Sequence, residues 1–372
     1  MIKYSVVIVT YQMKYILKNS LEAINNVIGI NDNNFEVIIS DDGSTDGTEE
    51  YIKGINRNYK LVYVYTKRDN FSCRNRARNL GYKKATGNII VFLDGDIIVK
   101  ENLLNELERC YNMTQNCIVV GARIMLDKDI DYKDVYTKKV YQMYKFDKNK
   151  IEQLDNRYLK YDILSFNSQS MNHSWLMAHT CLVSMPKQAL NDVGGFDESI
   201  KGWGFDESEL MYRLHKYGLN IIINNRLEVL HQKHTEFRKT LDDYQILEFS
   251  NNIKYFFEKH KEALDILPYN LDEYFMNDNM LELFTIDRGF NKYKLFKLIN
   301  NTNYETLKTY IDFNKDNINL QINVYDYLED SNIDIWIQLL ENVKCLIKYY
   351  PISKCISEKN HSIMKEINLM EG

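Results

Sequence analysis

NIIVFLDGD, residues 88–96, is the stretch of sequence that decides the fold. Five apolar residues in a row, from Ile89 to Leu93, lack the alternation of a half-exposed strand. Such a run is typical of a strand buried on both faces in the middle of an α/β sheet. The run ends at Asp94 and Asp96, which we therefore predict to lie at the carboxyl end of a central strand, where open α/β sheets bind ligands.

The two carboxylates flank Gly95, and the alternation of an extended chain places Asp94 and Asp96 on the same side. Gly95 lets the backbone turn and lets a ligand come close. Two oxygen ligands at an open strand end suit Mg²⁺ or Mn²⁺ that also contacts a diphosphate. The alternative is a plain strand end followed by an Asp-Gly turn, and the rest of the chain decides between the two.

Other apolar runs alternate with helical patterns around this stretch. Residues 14–27 and 73–84 carry apolar side chains at helical spacing between strand-like runs. Alternating strands and helices are the signature of βαβ units and of a mostly parallel, Rossmann-like sheet. Besides the central run, strands are predicted at residues 5–9, 35–39, 61–65, 118–124, 220–224 and 227–230.

Composition narrows the class of protein. The chain has 372 residues, which suggests about two domains, and its formal net charge of −5 excludes the electrostatic footprint of a nucleic-acid-binding protein. Six cysteines without paired spacing indicate a reducing compartment. The N-terminal apolar run is too short for a signal peptide, and no stretch approaches the length of a membrane span. We therefore expect a soluble cytoplasmic protein.

The C-terminal part of the chain has a different character. After about Phe237, apolar residues recur at helical spacing, as in Ile246, Phe249, Ile253 and Phe256. We predict an α-helical region over residues 236–372, which would bind the acceptor, join subunits of a homo-oligomer or cover the sheet.

Six sequence blocks occur in an order that resembles a known family. They are residues 5–11 (SVVIVTY), 38–46 (IISDDGSTD), 78–81 (RNLG), 93–96 (LDGD), 194–198 (GGFDE) and 202–204 (GWG). Together they resemble a GT-A glycosyltransferase of family two, and the last block resembles the chondroitin-polymerase and β-1,4-galactosyltransferase type. The resemblance covers roughly residues 3–235 and implies a GT-A, nucleotide-diphospho-sugar transferase fold for a domain over residues 1–235.

The resemblance implies that the first two strand ends hold the nucleotide base. Val9, Thr10 and Tyr11 follow one strand, and Asp42 follows the next. A uracil ring needs a stacking surface and an acceptor for its N3–H, which the carboxylate of Asp42 can provide. The alternative is that Asp41 and Asp42 only shape the turn.

An arginine cluster is expected at the diphosphate. Arg74 and Arg78 are four residues apart and share a helix face. Guanidinium groups bind phosphate oxygens in pairs and stay charged, so we expect both to contact the donor. Arg76 lies elsewhere on the helix and is expected to be a solvated surface charge.

By resemblance, residues 94–96 form the DxD motif. Asp96 would coordinate Mn²⁺ or Mg²⁺, and Asp94 would reach the ribose or a metal-bound water, with Gly95 between them. His231 directly ends a predicted strand and is the favoured third ligand, with His234 as the second choice. For each histidine the alternative is a purely structural role.

Acidic residues at a predicted helix start are candidates for the general base. Asp206 and Glu207 stand where the family carries Gly-Glu-Asp, with Phe205 in place of the glycine. Register favours Glu207, but the choice between the two stays open, and so does a role as helix N-terminal acids. Trp203 is expected to pack under the sugar, or else to be a core tryptophan.

One segment departs from the family pattern on the acceptor side. Relatives carry small residues before a Ser-Val-Pro sequence, whereas this chain reads TCLVSMP over residues 180–186.

The sequence thus predicts a metal-dependent, inverting glycosyltransferase. It would move a sugar from a UDP-sugar to an acceptor hydroxyl on a glycan, lipid carrier, small molecule or peptide. One alternative is a sugar-nucleotide-binding or carbohydrate-binding protein without turnover. A nucleotidyltransferase is the other, but it would need a glycine-rich phosphate loop after the first strand, where this chain has Val9, Thr10 and Tyr11.

Overall fold

The computed structural model describes most of the chain in two compact units. The described residues are 3–31, 34–144, 157, 161, 168, 171–233, 242–268, 270–276, 283–284, 292–298, 301–326, 328, 336, 340, 342–351 and 365–367. The first unit comprises Met1–Asp155 and Trp175–Ala263, and the second comprises Asn156–Ser174 and Leu264–Gly372.

An eight-stranded sheet forms the centre of the first unit. Its strands are β1 (Tyr4–Thr10), β2 (Phe35–Asp41), β3 (Lys60–Tyr65), β4 (Ile89–Asp94), β5 (Ile97–Val99), β6 (Cys117–Met125), β7 (Val183–Pro186) and β8 (Asn220–His231). They lie in the order β3-β2-β1-β4-β7-β6-β8-β5. The first four are parallel, β7 runs antiparallel to both of its neighbours, and β5 runs antiparallel to β8.

Helices connect these strands. They are α1 (Lys14–Asn25), α2 (Thr48–Gly54), α3 (Arg74–Lys84), α4 (Leu103–Met113), α5 (Tyr132–Tyr136), α6 (Val140–Met143), α7 (Lys187–Asp192), α8 (Asp206–Lys216) and α9 (Asp243–Lys259). Gly81 allows α3 to lie close to the sheet, because a Cβ there would come within 2.5 Å of Val7 Cγ1. A capping box between Asp242 and Gln245 starts α9.

The register of the parallel strands brings the candidate site residues together. β4 is buried on both faces, as the run from Ile89 to Leu93 predicted. Val9 pairs with Asp94, and Thr10 pairs with Asp41, so the carboxyl ends of β1, β2 and β4 meet at one edge of the sheet. The predicted α/β class with a mostly parallel sheet is confirmed, and this edge is where the candidate site lies.

The second unit carries a smaller sheet. Strands β9 (Lys292–Leu298), β10 (Leu320–Asp326), β11 (Leu346–Pro351) and β12 (Lys365–Ile367) lie in the order β12-β11-β10-β9. Two helices are described beside them, α10 (Leu271–Met276) and α11 (Asn301–Asn314).

Helical character after residue 235 is confirmed for α9 and α11, but the expectation of helix to the end of the chain is wrong. The sequence LQINVY at residues 320–325 shows why, since apolar Leu320, Ile322 and Val324 alternate with polar residues in the period of a strand. The polar residues Gln321 and Asn323 of this strand are buried as well.

The first unit continues to Ala263, past residue 235. Helix α9 therefore belongs to the first unit, which contains the eight-stranded sheet. Within the described residues, no helix combines the length and the apolar character needed to span a bilayer.

Candidate functional site

Tyr11, Asp42 and Arg68 lie together where β1 and β2 end. Tyr11 is partly exposed, and the guanidinium carbon of Arg68 lies 4.1 Å from the centre of its ring. Arg68 Nη1 also donates a hydrogen bond of 2.8 Å to Asp42 Oδ2. Gly43, at a φ of 95°, makes this approach possible because a Cβ would lie 2.8 Å from Arg68 Cγ. Arg68, which the sequence did not single out, thus links Asp42 to Tyr11. Their role in holding the base stays a prediction.

The two adjacent aspartates of this turn have different roles. Asp41 accepts hydrogen bonds from the backbone N–H of Ser44 at 2.7 Å and from the hydroxyl of Tyr63 at 2.8 Å. Asp41 is therefore the turn-forming residue, whereas Asp42 faces arginine. Burial raises the pKa of Asp42 from its usual value, although Arg68 and Arg76 act in the opposite direction.

Arg76 is not the solvated surface charge that the sequence suggested. Its Nη1 lies 2.7 Å from Asp69 Oδ1, its Nη2 lies 3.9 Å from Asp42 Oδ1, and its side chain is 14% exposed. The prediction was wrong because helical spacing shows which residues share a face but not which loop covers the other face.

A carboxylate and an imidazole meet at the start of β5. His231 Nε2 lies 3.4 Å from Asp96 Oδ2, because the β5–β8 register pairs His231 with Ile97. The side chain of Asp96 is 9% exposed and that of His231 is 14% exposed. Asp96 and His231, the two residues predicted to bind metal, are thus in contact. Their role as metal ligands stays a prediction, and His234 lies outside the described residues.

Hydrogen bonds from Gln232 and from helix α1 hold the backbone beside this pair in place. Gln232 donates from its backbone N–H to Asp96 O at 3.0 Å and from its side chain to the same oxygen at 3.2 Å. Helix α1 contributes Asn19, which donates to Gln232 Oε1 at 2.8 Å, and Ser20, which donates to Gly95 O at 2.9 Å. The carbonyl oxygens of Gly95 and Asp96 therefore accept hydrogen bonds from protein groups.

The donor set suits a divalent cation that is shared with a ligand. Among the described residues, no group of three or more His, Cys, Asp or Glu side chains could hold a metal by itself. Asp96 and His231 offer one carboxylate and one imidazole, the mixture that Mn²⁺ accepts, and leave further positions for diphosphate oxygens. The residues present thus fit a cation whose remaining ligands come from a bound molecule.

Arg78 is the centre of a second cluster. Its side chain is only 3% exposed. Five side-chain oxygen atoms surround the guanidinium nitrogens. They are Asp206 Oδ2 at 2.7 Å, Thr180 Oγ1 at 2.7 Å, Asn75 Oδ1 at 3.3 Å, Asp94 Oδ1 at 3.4 Å and Glu207 Oε1 at 3.7 Å. The guanidinium therefore ties the end of β4 to the start of α8.

Glu207 lies in this cluster as an ionised carboxylate. Burial by itself would raise its pKa, but Arg78, the hydroxyl of Thr180 and Arg74 outweigh burial, so the pKa lies below its usual value. The side chain of Glu207 is 20% exposed. It is accessible enough to meet a substrate and carries a negative charge at neutral pH.

Asp206 has the opposite character. Its side chain is 6% exposed, and it is bound to Arg78 at 2.7 Å. A buried carboxylate that neutralises a buried guanidinium is poorly placed to receive a substrate proton. The geometry therefore favours Glu207 over Asp206 as the candidate base.

The loop before α8 places Trp203 and Arg74 at the rim. Arg74 Nη2 donates to Gly202 O at 2.9 Å. Trp203 is half-buried, with its ring 5.5 Å from Phe249 of α9, and Glu248 accepts from its backbone N–H at 3.0 Å. Arg74 thus contacts the loop that carries Trp203.

Phe205 keeps the backbone conformation that a glycine would take. Its φ is 65°, in the left-handed region that side chains other than glycine disfavour. Its ring is buried, with centres 6.0 Å from Phe249 and 5.0 Å from Phe256. Aromatic packing against α9 therefore offsets the backbone strain at the position where the family pattern has glycine.

Two family models match consecutive parts of the chain. Residues 5–176 match the model described as glycosyl transferase family 2, and residues 165–238 match the model described as the N-terminal domain of galactosyltransferase. Both matches fall on the blocks that carried the resemblance, and they confirm it. With the mostly parallel α/β sheet they also confirm the implied class of fold.

Several proteins resemble the chain over part of their length. The uncharacterized glycosyltransferase YfnE of Bacillus subtilis is 26% identical, over 72% of this chain and 74% of that protein. Validoxylamine A glucosyltransferase of Streptomyces hygroscopicus subsp. jinggangensis is 26% identical, over 62% of this chain and 56% of that protein. Chondroitin synthase of Escherichia coli is 25% identical, over 58% of this chain and 32% of that protein.

Solved structures also resemble the chain, at low identity. Staphylococcus aureus TarS 1-349 in complex with UDP-GlcNAc aligns with a TM-score of 0.47 and 16% identity, over 86% of this chain and 79% of that one. Mannosyltransferase PcManGT from Pyrobaculum calidifontis, in complex with GDP-Man and Mn²⁺, aligns with a TM-score of 0.44 and 16% identity, over 91% and 83%.

Proposed function

We propose that the chain is a metal-dependent glycosyltransferase that uses a UDP-sugar and inverts the anomeric configuration. The match of residues 5–176 to the model of glycosyl transferase family 2 supports the sugar-transferring activity. One observation carries this proposal. Arg78 lies 3.4 Å from Asp94 and 3.7 Å from Glu207, so the donor-side carboxylate and the candidate base share one guanidinium. Donor and acceptor groups are then held close enough for direct transfer.

The donor would bind along the carboxyl ends of β1, β2 and β4. Tyr11 and Arg68 offer a stacking surface, and Asp42 offers an acceptor for the N3–H of uracil. Val9 and Thr10 end β1 beside these residues. Arg74 is the exposed arginine that can reach the diphosphate, whereas Arg78 acts from beneath by fixing the carboxylates around it.

Asp96 and His231 would hold Mn²⁺ or Mg²⁺, with His234 as a further candidate. When bound, the cation neutralises the negative charge that develops on the departing diphosphate. The chain itself fixes Asp96 through hydrogen bonds from Gln232 to the carbonyl oxygen of Asp96 and from Ser20 to that of Gly95.

Glu207 would act as the general base. The acceptor hydroxyl oxygen forms a bond to the anomeric carbon and its proton passes to a Glu207 carboxylate oxygen. The bond from the anomeric carbon to the diphosphate oxygen breaks, and the diphosphate leaves with the electron pair. Attack from the face opposite the leaving group gives inversion.

Several features of the proposal rest on the sequence. The acceptor is a hydroxyl on a glycan, lipid carrier, small molecule or peptide. Cytoplasmic location and a homo-oligomeric state stay predictions from cysteine usage and from the C-terminal region.

Release of UDP from a panel of UDP-sugars tests the proposal. We expect turnover with Mn²⁺, its loss with chelator, and a loss of at least about 100-fold in Glu207→Gln, the range of general base catalysis. Glu50→Gln, an exposed acid on α2, serves as the control and should keep full activity.

Two results would contradict the proposal. For the first, the anomer of the fresh product is followed by NMR in a reaction with an α-linked donor. An α-linked product refutes inversion. Tight UDP-sugar binding without any turnover, for every acceptor tried, would favour the sugar-nucleotide-binding alternative.

A further inference from the structure

Thr180 is the polar residue through which the two halves of the site meet. It is 1% exposed and lies three residues before β7. Its hydroxyl oxygen is 2.6 Å from Glu207 Oε1, 3.0 Å from Asp94 Oδ1 and 2.7 Å from Arg78 Nη2. Its backbone N–H also points to Glu207 Oε1, at 3.4 Å.

The direction of these hydrogen bonds follows from the inventory of the groups. A guanidinium only donates, so Arg78 donates to the hydroxyl oxygen of Thr180. The hydroxyl has one proton of its own, and two carboxylates compete for it. Glu207 is closer than Asp94 by the distances 2.6 and 3.0 Å, so the proton is directed to Glu207.

These contacts fix one oxygen of the candidate base. Among the described residues, the hydroxyl of Thr180, the N–H of Thr180 and the guanidinium of Arg78 contact Glu207. All three contacts fall on Oε1. A carboxylate held by one oxygen presents its other oxygen in a defined direction. Oε2 is therefore the atom available to the acceptor hydroxyl.

We propose that Thr180 is a positioning residue that orients Glu207 for proton removal from the acceptor. This inference rests on the proposed role of Glu207 as base.

A purely structural hydroxyl is the competing interpretation, and the chain offers a matched control. Thr86 donates to buried Glu36 in the same manner, with its hydroxyl at 2.8 Å and its N–H at 2.6 Å from Glu36 Oε1. Glu36 pairs through β2 with Ser5 of β1, in the parts of these strands away from the site. Thr86→Val thus removes the same chemistry without touching Glu207.

The experiment measures UDP release with the most active UDP-sugar and Mn²⁺. Thr180→Val removes the hydroxyl and keeps the shape, Thr180→Ala guards against overpacking, and Thr180→Ser keeps the hydroxyl. We expect Thr180→Val and Thr180→Ala to lower kcat about 10- to 100-fold, the value of a hydrogen bond to a charged group. KM for the donor should stay near that of the parent. Thr180→Ser should keep most of the parent's kcat, and Thr86→Val should leave kcat unchanged.

A second background separates this inference from the proposed function. Glu207→Asp keeps a carboxylate but shortens it, so the contact with Thr180 is lost, and adding Thr180→Val should then change kcat little. If Thr180→Val slows both backgrounds by the same factor, or leaves kcat of the parent intact while Glu207→Gln abolishes it, the inference is wrong and the base assignment stands. If Glu207→Gln keeps full kcat, the proposed function itself fails.

Discussion

The guanidinium of Arg78 and the carboxylate of Asp206 form a buried ion pair with an N–O distance of 2.7 Å. The two side chains are 3% and 6% exposed, respectively. This pair gives different roles to the two neighbouring acids at the start of α8. Asp206 neutralises Arg78, and Glu207, one residue later, is left with its charge facing the site.

Replacing Arg78 with methionine should destabilise the protein strongly. The stem of the side chain is kept, but Asp206 becomes a buried charge without its partner, which costs about 3–5 kcal/mol. The free energy of unfolding in urea measures the effect. Arg74→Met, an exposed arginine on the same helix, should change stability by less than about 1 kcal/mol and instead weaken donor binding. Equal effects of the two variants on stability would contradict a buried pair.

Removing the imidazole of His231 should weaken UDP binding only when metal is present. His231→Ala and Asp96→Ala should each raise the Kd for UDP with Mn²⁺ by more than about tenfold, since even changes behind metal ligands have that effect. Calorimetry with Mn²⁺ and with chelator checks this, and exposed His215→Asn serves as the control. Parent protein that binds UDP equally well with and without metal would overturn the assignment of the metal site.

At residue 205, glycine should be more stable than alanine, the reverse of the usual order. Phe205→Ala loses the ring contacts with Phe249 and Phe256 and keeps the left-handed backbone. Its cost should be about 3–5 kcal/mol. Phe205→Gly loses the same contacts but relieves roughly 1–2 kcal/mol of backbone strain. Urea unfolding of the two variants decides the order, and an alanine variant that is the more stable would refute the strain.

Stability should fall in acid through Glu209. Burial alone would raise the pKa of its fully buried carboxyl, but His260, Arg213 and Lys259 lower the pKa from 4.5 to about 2. A carboxyl with a depressed pKa contributes stability above pH 4.5 and loses that stability as the pH falls through about 2. The contribution at neutral pH is on the order of 3 kcal/mol.

The measurement compares the parent with Glu209→Gln by urea unfolding across this range of pH. The gap between the two proteins should shrink as the pH falls from 5 toward 2. Glu305→Gln removes an exposed ion pair with Lys308 and should show a gap of at most about 1 kcal/mol. A gap for Glu209→Gln that does not depend on pH would contradict the depressed pKa.

Features that depend on local order along the chain could be predicted from the sequence. The apolar run from Ile89 to Leu93 indicates that its strand is buried. The carboxyl ends of parallel strands meet at one edge of the sheet, so the approach of Asp42 and Asp94 could be predicted. His231 was found because it ends a strand.

Features that depend on long-range partners could not be predicted. Arg68 lies in a loop without periodicity, and nothing near it in sequence points to Asp42. Thr180 is far from Glu207 along the chain, and nothing near it in sequence points to that carboxylate. Gln321 and Asn323 are polar residues of β10 that are buried, which their residue types do not indicate.

Helix α9 lies beyond residue 238, where the second family match ends, yet it holds the loop that carries Trp203. Asn252 donates to the carbonyl oxygens of Lys201 and Gly204, and a Cβ on Gly202 or Gly204 would collide with Glu248 or Phe249. A protein shortened to the matched residues would keep the strand ends of β1, β2 and β4 and lose the support that α9 gives to the loop with Trp203. Truncation there should uncouple nucleotide recognition from sugar delivery, and chimaeras between relatives should exchange α9 together with the GWG segment.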